Sequence, residues 1–474
     1  MLIQELLDCV GGKLVGADDF LVDFTGRFNF LNSADQGDIV IRHWINAKGI
    51  EIAFEKNISC LITQNPKEGA VEKACELKFP LIVTDKIELA NAYALSETVK
   101  RFSPDSTNII ITGTNGKSTT SHLIYHILQH ADFHVLTNTD SESEFNTLID
   151  PMVSKLISDE ALTAPPIDYL VIEVSEVQGW LGKLMKSHAA LMSDALKPKV
   201  GVITNIAMDH IGLVNSIDEV FGEINEVCNV LGEDISILNY DDELVRKLDA
   251  RNPFYTSMSK LNCQNSIYFE DGFIFYKDNK LMSVDELPFK SKHFIQNILS
   301  AMGACISLGI DIDKIISGVK SYKSLNRRFS KLNDEPLIYD DFAHNPDGIK
   351  ATISETLKLL PPNQTLHVVC AIRGSRGVEI NQLNVDALVE SMNDNIDLYL
   401  SSSSDVVNNL NIVEDSEKEV FFNTLNRNNV EFTHFEYLKE CLEEVYQNCD
   451  KKDIILLIGA QGMDPAKLLL GDII

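Results

Sequence analysis

One segment limits what this chain can fold into. Gly113-Thr114-Asn115-Gly116-Lys117-Ser118-Thr119 sits between an apolar run, Asn108-Ile109-Ile110-Ile111-Thr112, and a stretch of helical spacing that continues to about His130. A turn of this kind between a strand and a helix converges consecutive backbone N–H groups, and the helix start adds partial positive charge. That suits phosphate oxygens. Glycine is needed where a β-carbon would block the phosphate, Lys117 would bridge the β- and γ-phosphates of a nucleotide, and the Ser118 hydroxyl would hold a magnesium ion. The general pattern for such loops places its first glycine at position 111, where this chain has Ile111, so the loop is a variant. The competing reading is a glycine turn at a strand–helix junction that happens to carry a lysine.

A strand feeding such a loop belongs in a covered parallel sheet, and the chain alternates β and α signals throughout. Its 474 residues are too many for one ordinary core and imply two or three domains. Ile39-Val40-Ile41, Cys60-Leu61-Ile62 and Pro80-Leu81-Ile82-Val83 read as strands of a small N-terminal α/β domain, residues 1–104. The turn formers Ser103-Pro104-Asp105-Ser106 end it. Residues 105–325 form the central domain, with Tyr169-Leu170-Val171-Ile172 and Val200-Gly201-Val202-Ile203 as further inner strands, a helix over 294–308 and a charged hairpin at 271–280. Residues 326–474 repeat strand and helix signals through Leu366-His367-Val368-Val369 and residues 454–458, which predicts a Rossmann-like doubly wound sheet. Ser324-Leu325-Asn326 is the candidate hinge.

Composition sets further bounds. Seventy acidic residues against 41 basic ones give a formal charge of −29, a field that disfavours nucleic acid but permits a nucleotide held by a local nest of donors and its metal ions. The first residues, Met1-Leu2-Ile3-Gln4-Glu5, lack the basic-then-apolar pattern of a secretory signal. The longest apolar runs are too short to cross a bilayer, so a cytoplasmic protein without membrane association is expected. Nine cysteines are scattered without a C-x-x-C pair; most are expected to be small buried apolar residues, and no metal or disulfide framework is implied.

Residues 113–119 resemble the G-T-N-G-K-[ST]-T signature of the Mur ligase family, and further landmarks follow in the family's order. Glu173-Val174-Ser175 resembles its E-x-S segment, and Thr204-Asn205-Ile206-Ala207-Met208-Asp209-His210 its T-N-x-x-x-D-H segment. Residues 293–301 resemble H-N-x-x-N-x-x-A-A, Arg328 stands where an arginine heads the last domain, and residues 339–346 resemble D-Y-A-H-N-P. The resemblance covers roughly residues 108–346. It implies that Gly113, Thr114, Asn115, Gly116, Lys117, Ser118 and Thr119 bind ATP, and that Asn297 reads adenine. It further implies that Asp341 holds the ribose, Arg328 meets the γ-phosphate, and Ser118, Glu173 and His210 hold Mg2+. Lys117, His210, Arg328 and Glu173 form the catalytic set.

Most of these assignments have a rival on the sequence alone. Glu173 can be an ordinary loop glutamate and His210 a structural histidine oriented by Asp209; Asn297 can simply bond a neighbouring helix. Arg327 and Arg328 can be a solvated pair, and Asp340 rivals Asp341. The role of His344 is open. Arg373 and Arg376 can bind an incoming amino acid's carboxylate, close the site, or lie on a basic surface loop. Two departures stand out. The helix after Asp209-His210 carries no lysine of the kind that is carbamylated in many members, and Glu223 or Glu226 are candidate replacements. Phe294 replaces the family's first asparagine.

The implied reaction is ATP-dependent amide-bond formation through an acyl-phosphate, with the C-terminal domain closing over ATP. The N-terminal domain resembles the UDP-binding domain of MurE-type enzymes. With the missing lysine and the segment at 137–146, it points to the pseudomurein peptide ligases, which add an amino acid to a UDP-linked wall precursor. Alternatives are a ligase acting on a polyglutamate or a cofactor carboxylate, a P-loop kinase, and a nucleotide-binding scaffold without turnover.

Overall fold

The apolar runs become inner strands of three sheets in a computed structural model that describes residues 3–17, 24–139, 150–180, 183–208, 213–287, 290–409 and 411–474. The chain divides into two compact units, the first running to Tyr322 and the second from Lys323 to Ile474.

In the first unit, Phe28–Asn29, Ile39–Ile45, Cys60–Pro66 and Leu81–Val83 pair in parallel, and Lys13–Val15 closes the far edge antiparallel. Alternate residues of a strand point to opposite faces, so Ile39 and Ile41 enter one core while Val40 enters the other. The helix Ile87–Phe102 joins this sheet to the next. Its Ile87, Ala90 and Ala94 pack into the N-terminal core, and its Ala92 and Leu95 pack under the central sheet. Residues 103–106 are a tight turn inside this unit, Ser106 N donating to the Ser103 carbonyl at 3.2 Å.

The central sheet has nine strands. Seven are parallel, in the order Val135–Thr137, Tyr169–Glu173, Thr107–Thr112, Val200–Ile203, Ile235–Asn239, Pro253–Ser257 and Ser266–Glu270. The sheet is not parallel to its edge. Phe273–Tyr276 and Asn279–Ser283 continue it antiparallel, so the expected hairpin is the end of a three-strand meander turning at Asp271-Gly272 and Lys277-Asp278. Tight turns make antiparallel neighbours here, whereas parallel ones need a helical crossover. The helices Lys117–His130 and Lys292–Ser307 cover one face through Leu123, Ile124, Ile127, Ile298, Leu299 and Met302.

In the second unit, Leu337–Asp341, Ile454–Ile458, Leu366–Ala371, Ile396–Ser401 and Phe432–Phe435 are parallel, with Ser330–Asp334 antiparallel at the edge. The helices Pro346–Leu359, Val378–Ser391 and Asp415–Arg427 supply one core, and Leu438–Asn448 and Ala466–Ile473 the other. This is the doubly wound sheet expected. Among the cysteines, Cys60, Cys228, Cys305, Cys370 and Cys441 are buried, but Cys9, Cys75 and Cys263 are exposed and Cys449 is half-buried. No helix among the described residues is long and apolar enough to cross a membrane.

Candidate functional site

Strand register brings the candidates of the first unit together. Thr107–Thr112 lies between Tyr169–Glu173 and Val200–Ile203, with Ile111 opposite Glu173 and Thr112 opposite Ile203. The residues leaving these three strands therefore meet at one carboxyl edge, where parallel sheets place ligands. Gly113 has φ +116°, and a β-carbon there would lie 2.3 Å from Thr204 Oγ1; Gly116 has φ +84°, and its β-carbon would lie 2.4 Å from Asn297 Oδ1. Both glycines answer to tertiary neighbours as much as to the turn.

The loop is sewn to the segment after Ile203. Thr114 N donates to the Asn205 carbonyl at 3.0 Å, Asn115 N donates to Asn205 Oδ1 at 2.9 Å, and Asn205 Nδ2 returns a bond to the Asn115 carbonyl at 2.8 Å. Ala207 N donates to Thr114 Oγ1 at 2.9 Å. The backbone amides of Thr114 and Asn115 thus serve the scaffold, and the helix Lys117–His130 opens directly behind them. Asn205, read from the sequence only as part of a motif, is the loop's brace.

Lys117 Nζ donates to the carbonyls of Gly113 at 2.6 Å and Thr114 at 2.9 Å and to Glu176 Oε2 at 2.8 Å. Glu176 is 1% exposed, and its Oε1 is buried without a hydrogen-bond partner among the described residues. Sequence reasoning missed it, although a carboxylate three residues past Glu173, at the end of an inner strand, was a usable signal. Glu173 ends its strand as expected, and Asn138 clamps its backbone. Glu173 N donates to Asn138 Oδ1 at 2.8 Å, and Asn138 Nδ2 donates to the Glu173 carbonyl at 3.0 Å. Ser118 stands in the first turn of the helix Lys117–His130. A serine hydroxyl and a carboxylate at one sheet edge, the carboxylate's backbone fixed, are the hard oxygen donors that magnesium takes.

Asn297 lies on Lys292–Ser307 with its carboxamide against Gly116, so the structure brings it to the loop. One turn earlier, Phe294 lies against Tyr322 with ring centroids 5.8 Å apart, and His122 Nδ1 is 3.2 Å from the Tyr322 hydroxyl. Burial lowers the His122 imidazole to about 4, with His126 adding to the shift, so it is neutral at pH 7. His210 and Asp209 lie outside the described residues, as does most of the segment at 137–146. Of the candidate lysine replacements, Glu223 is buried and its Oε2 accepts from Ser187 N at 2.7 Å; burial pushes its carboxyl up to about 6. Glu226 is half-buried.

The second unit holds the remaining candidates. Arg327 is not half of a solvated pair. It is buried, with its guanidinium donating to the carbonyls of Gly459 and Ala460 and paired with Asp340 and Asp464. Buried charges persist only when paired and bonded in this way. Arg328 is half-buried, its guanidinium 4.8 Å from the centre of the Phe342 ring. Asp340 is 1% exposed and committed to Arg327. Asp341 accepts from Phe329 N at 2.7 Å, Ala343 N at 2.9 Å and Thr352 Oγ1 at 3.2 Å, and burial raises its carboxyl above the usual range against the pull of Arg328. His344 Nδ1 is 2.7 Å from the Phe342 carbonyl. The loop of Arg373 and Arg376 is organised by a residue the sequence did not reveal. Buried Glu417 accepts from Ser375 N, Arg376 N and Gly377 N at 3.0, 2.9 and 2.7 Å.

A strand–loop–helix phosphate site on a mainly parallel sheet, followed by a separate doubly wound unit, defines a nucleotide-binding enzyme of two α/β bodies. Two family models match the chain, the Mur ligase middle domain over residues 111–305 and the Mur ligase, glutamate ligase domain over residues 327–461. The chain belongs to the Mur ligase family, and it is an ATP-dependent amide-forming ligase. It is 27% identical over 377 residues to the UDP-N-acetylmuramate–L-alanine ligase of Clostridium acetobutylicum, covering 74% of this chain and 73% of that one. Its fold is similar to that of a pseudomurein peptide ligase type C from Methanothermus fervidus, with a TM-score of 0.60, 19% identity, and 92% and 94% of the two chains covered. MurF from Acinetobacter baumannii is similar at a TM-score of 0.67 and 16% identity, with 99% and 98% covered.

Proposed function

We propose that this ligase adds an amino acid to a UDP-linked peptide precursor of a cell wall of the pseudomurein kind. The observation that carries this reading is a cavity of about 220 Å³ in the first unit, lined by Phe30, Ile41, Arg42, His43, Trp44, Asp150 and Trp180. The rings of His43 and Trp180 lie 4.2 Å apart. His43 Nε2 and Trp180 Nε1 are buried and have no hydrogen-bond partner among the described residues. Burial, then Arg42, lowers the His43 imidazole to about 4, so it is neutral and offers one donor or acceptor at each nitrogen. Aromatic walls with a few unused polar atoms fit a flat base bearing an amide edge, and Arg42 supplies charge for a diphosphate.

The reaction begins with attack of the precursor's carboxylate on the γ-phosphorus of ATP, which releases ADP and leaves an acyl-phosphate. The amino acid's amine then adds to the acyl carbon, and the tetrahedral intermediate collapses with loss of phosphate. Lys117 leaves Glu176 for the phosphates, and the opening amides of its helix hold the phosphate oxygens. Ser118, Glu173 and His210 are the proposed holders of Mg2+, which when bound offsets the charge of the triphosphate. Arg328 and Asp341 keep the roles that the resemblance assigns them, a cation for the transferred phosphoryl group and an acceptor for ribose hydroxyls. Asn297, beside Gly116, is the proposed contact to adenine.

The test is a screen of the enzyme with ATP, magnesium, UDP-linked precursors and single amino acids, read as product mass and as ADP and phosphate release. One precursor and one amino acid should give a product heavier by that residue. Turnover with a polyglutamate or cofactor carboxylate and with no UDP-linked acceptor would move the enzyme to the other branch of its family.

A further inference from the structure

At the opposite edge of the second unit's sheet, three side chains from distant parts of the sequence come together. His367 is the second residue of Leu366–Ala371, Asp453 directly precedes Ile454–Ile458, and Cys449 caps the helix Leu438–Asn448. One ligand atom from each lies within 4.8 Å of the others. His367 is 3% exposed, and its Nε2 is 3.4 Å from Asp453 Oδ2. Its Nδ1 is buried with no hydrogen-bond partner among the described residues and lies 3.4 Å from Asp397 Oδ2, on the residue directly across the parallel ladder. Asp453 is itself held in place, accepting from Thr365 N at 2.8 Å through Oδ1 and from Asp450 N at 2.9 Å through Oδ2. None of these residues is among the nucleotide-site candidates described above.

We propose that His367, Cys449 and Asp453 form a binding site for a divalent transition cation of the zinc class, with Asp397 orienting the imidazole. Nitrogen, sulfur and oxygen from three side chains, with a fourth position left to water, is a donor set that zinc accepts. Ligand atoms bonded to one zinc ion at roughly 2.0–2.3 Å sit about 3.3–3.6 Å apart. The cluster therefore needs to contract by about an ångström, within reach of a rotation of Cys449 about χ1. A carboxylate at the far nitrogen of a ligating histidine is the usual outer support of such a site, fixing the tautomer and the ring. Here Asp397 stands in that position.

A bare Cys-His-Asp nucleophile fits less well, because the His367 imidazole lies between two carboxylates at 3.4 Å each and Cys449 Sγ faces the Asp450 carbonyl at 3.4 Å. When a dication binds, the thiol proton leaves to solvent as the thiolate–metal bond forms. The ion would pin the loop at residues 449–453 to the starts of two inner strands. It is a structural or regulatory site remote from the sheet edge that carries Asp341.

The experiment uses the full chain, stripped with a chelator and titrated with Zn2+ alone and with Co2+ alone. Wild type should retain about one zinc per chain after dialysis and should show a thiolate-to-cobalt charge-transfer band with tetrahedral visible bands. Cys449→Ser should lose the charge-transfer band, and His367→Gln should lose zinc retention, each with an unchanged far-ultraviolet circular dichroism spectrum. Asp397→Asn should keep the band and bind zinc about tenfold more weakly. Cys449→Ser is the primary variant because the residue is half-buried and serine is close in size, so the fold should survive. A wild type without the charge-transfer band, or a band that persists in Cys449→Ser, overturns the assignment and leaves an imidazole bridging two aspartates.

Discussion

Lys117 Nζ lies 2.8 Å from Glu176 Oε2, and the carboxylate is 1% exposed, so the cation expected to meet the nucleotide is tied to a buried negative charge. Removing one member of such a pair strands the other, which typically costs about 3–5 kcal/mol. Lys117→Ala should therefore abolish turnover and also destabilise the first unit by about 3 kcal/mol. Adding Glu176→Gln should restore much of that stability and none of the activity. Urea denaturation of the two single variants and the double variant measures the coupling; a single Lys117→Ala as stable as wild type would remove the buried-charge argument.

Glu176→Gln alone tests whether the carboxylate competes with phosphate for Lys117. Even about 1.4 kcal/mol of the cost of separating this buried pair, once lifted, should tighten ATP binding about tenfold in a direct titration. Weaker binding instead would make Glu176 part of the nucleotide's own cradle.

Gly116 couples the loop to Asn297. Alanine there meets a left-handed φ of +84° and a contact of 2.4 Å to Asn297 Oδ1. The backbone alone costs about 1–2 kcal/mol, and a displaced loop should lower kcat/KM on the order of a hundredfold. Asn297→Ala in the same chain relieves the contact and leaves the φ strain, so part of the lost stability should return in urea denaturation, while ATP affinity stays low because Asn297 is the proposed adenine contact. Complete recovery would show that the positive φ is unimportant; none at all would show that Asn297 is not what the loop packs against.

Asn138 holds both backbone polar groups of Glu173. Asn138→Ala leaves them unsatisfied, at a cost of roughly 1–3 kcal/mol, and lets the strand end move. The expected kinetic signature is a higher magnesium concentration for half-maximal activity with an unaltered KM for the amino acid. An unchanged magnesium curve would separate Glu173 from the cation.

Asp340 gives a pH signature. Burial pushes its carboxyl from 3.8 to about 6, outweighing the Arg327 guanidinium at 3.4 Å. The folded chain then holds this proton more tightly than the unfolded chain. Its contribution to stability falls as pH rises from about 4 to about 6, by up to about 3 kcal/mol, and the cost is fully present above that window. Asp340→Asn should flatten the slope in that interval, measured as the difference between the two proteins' denaturation midpoints across pH. Parallel curves would place the charge elsewhere.

The local pattern was enough for the phosphate loop, the strands that feed it and the helices that follow, because period, turn chemistry and spacing are properties of neighbouring residues. Glu173 could be placed at a strand end for the same reason, whereas Asn297 is named through the family resemblance of its segment. The roles of Asn205, Glu176 and Asn138 could not be read either way. Each acts on a loop or strand that is far away in sequence and adjacent only through the parallel ladder.

The sequence by itself determined the family, the nucleotide loop and the alternation of strand and helix, since these are written in contiguous residues. Only the tertiary structure decided which charges are buried and paired. Arg327, for which a solvated pair with Arg328 is one open reading of the sequence, is paired with Asp340 and Asp464, and the scattered Cys449 comes to within reach of His367 and Asp453. Pairing and desolvation depend on what surrounds a side chain in three dimensions, and no spacing along one chain records that.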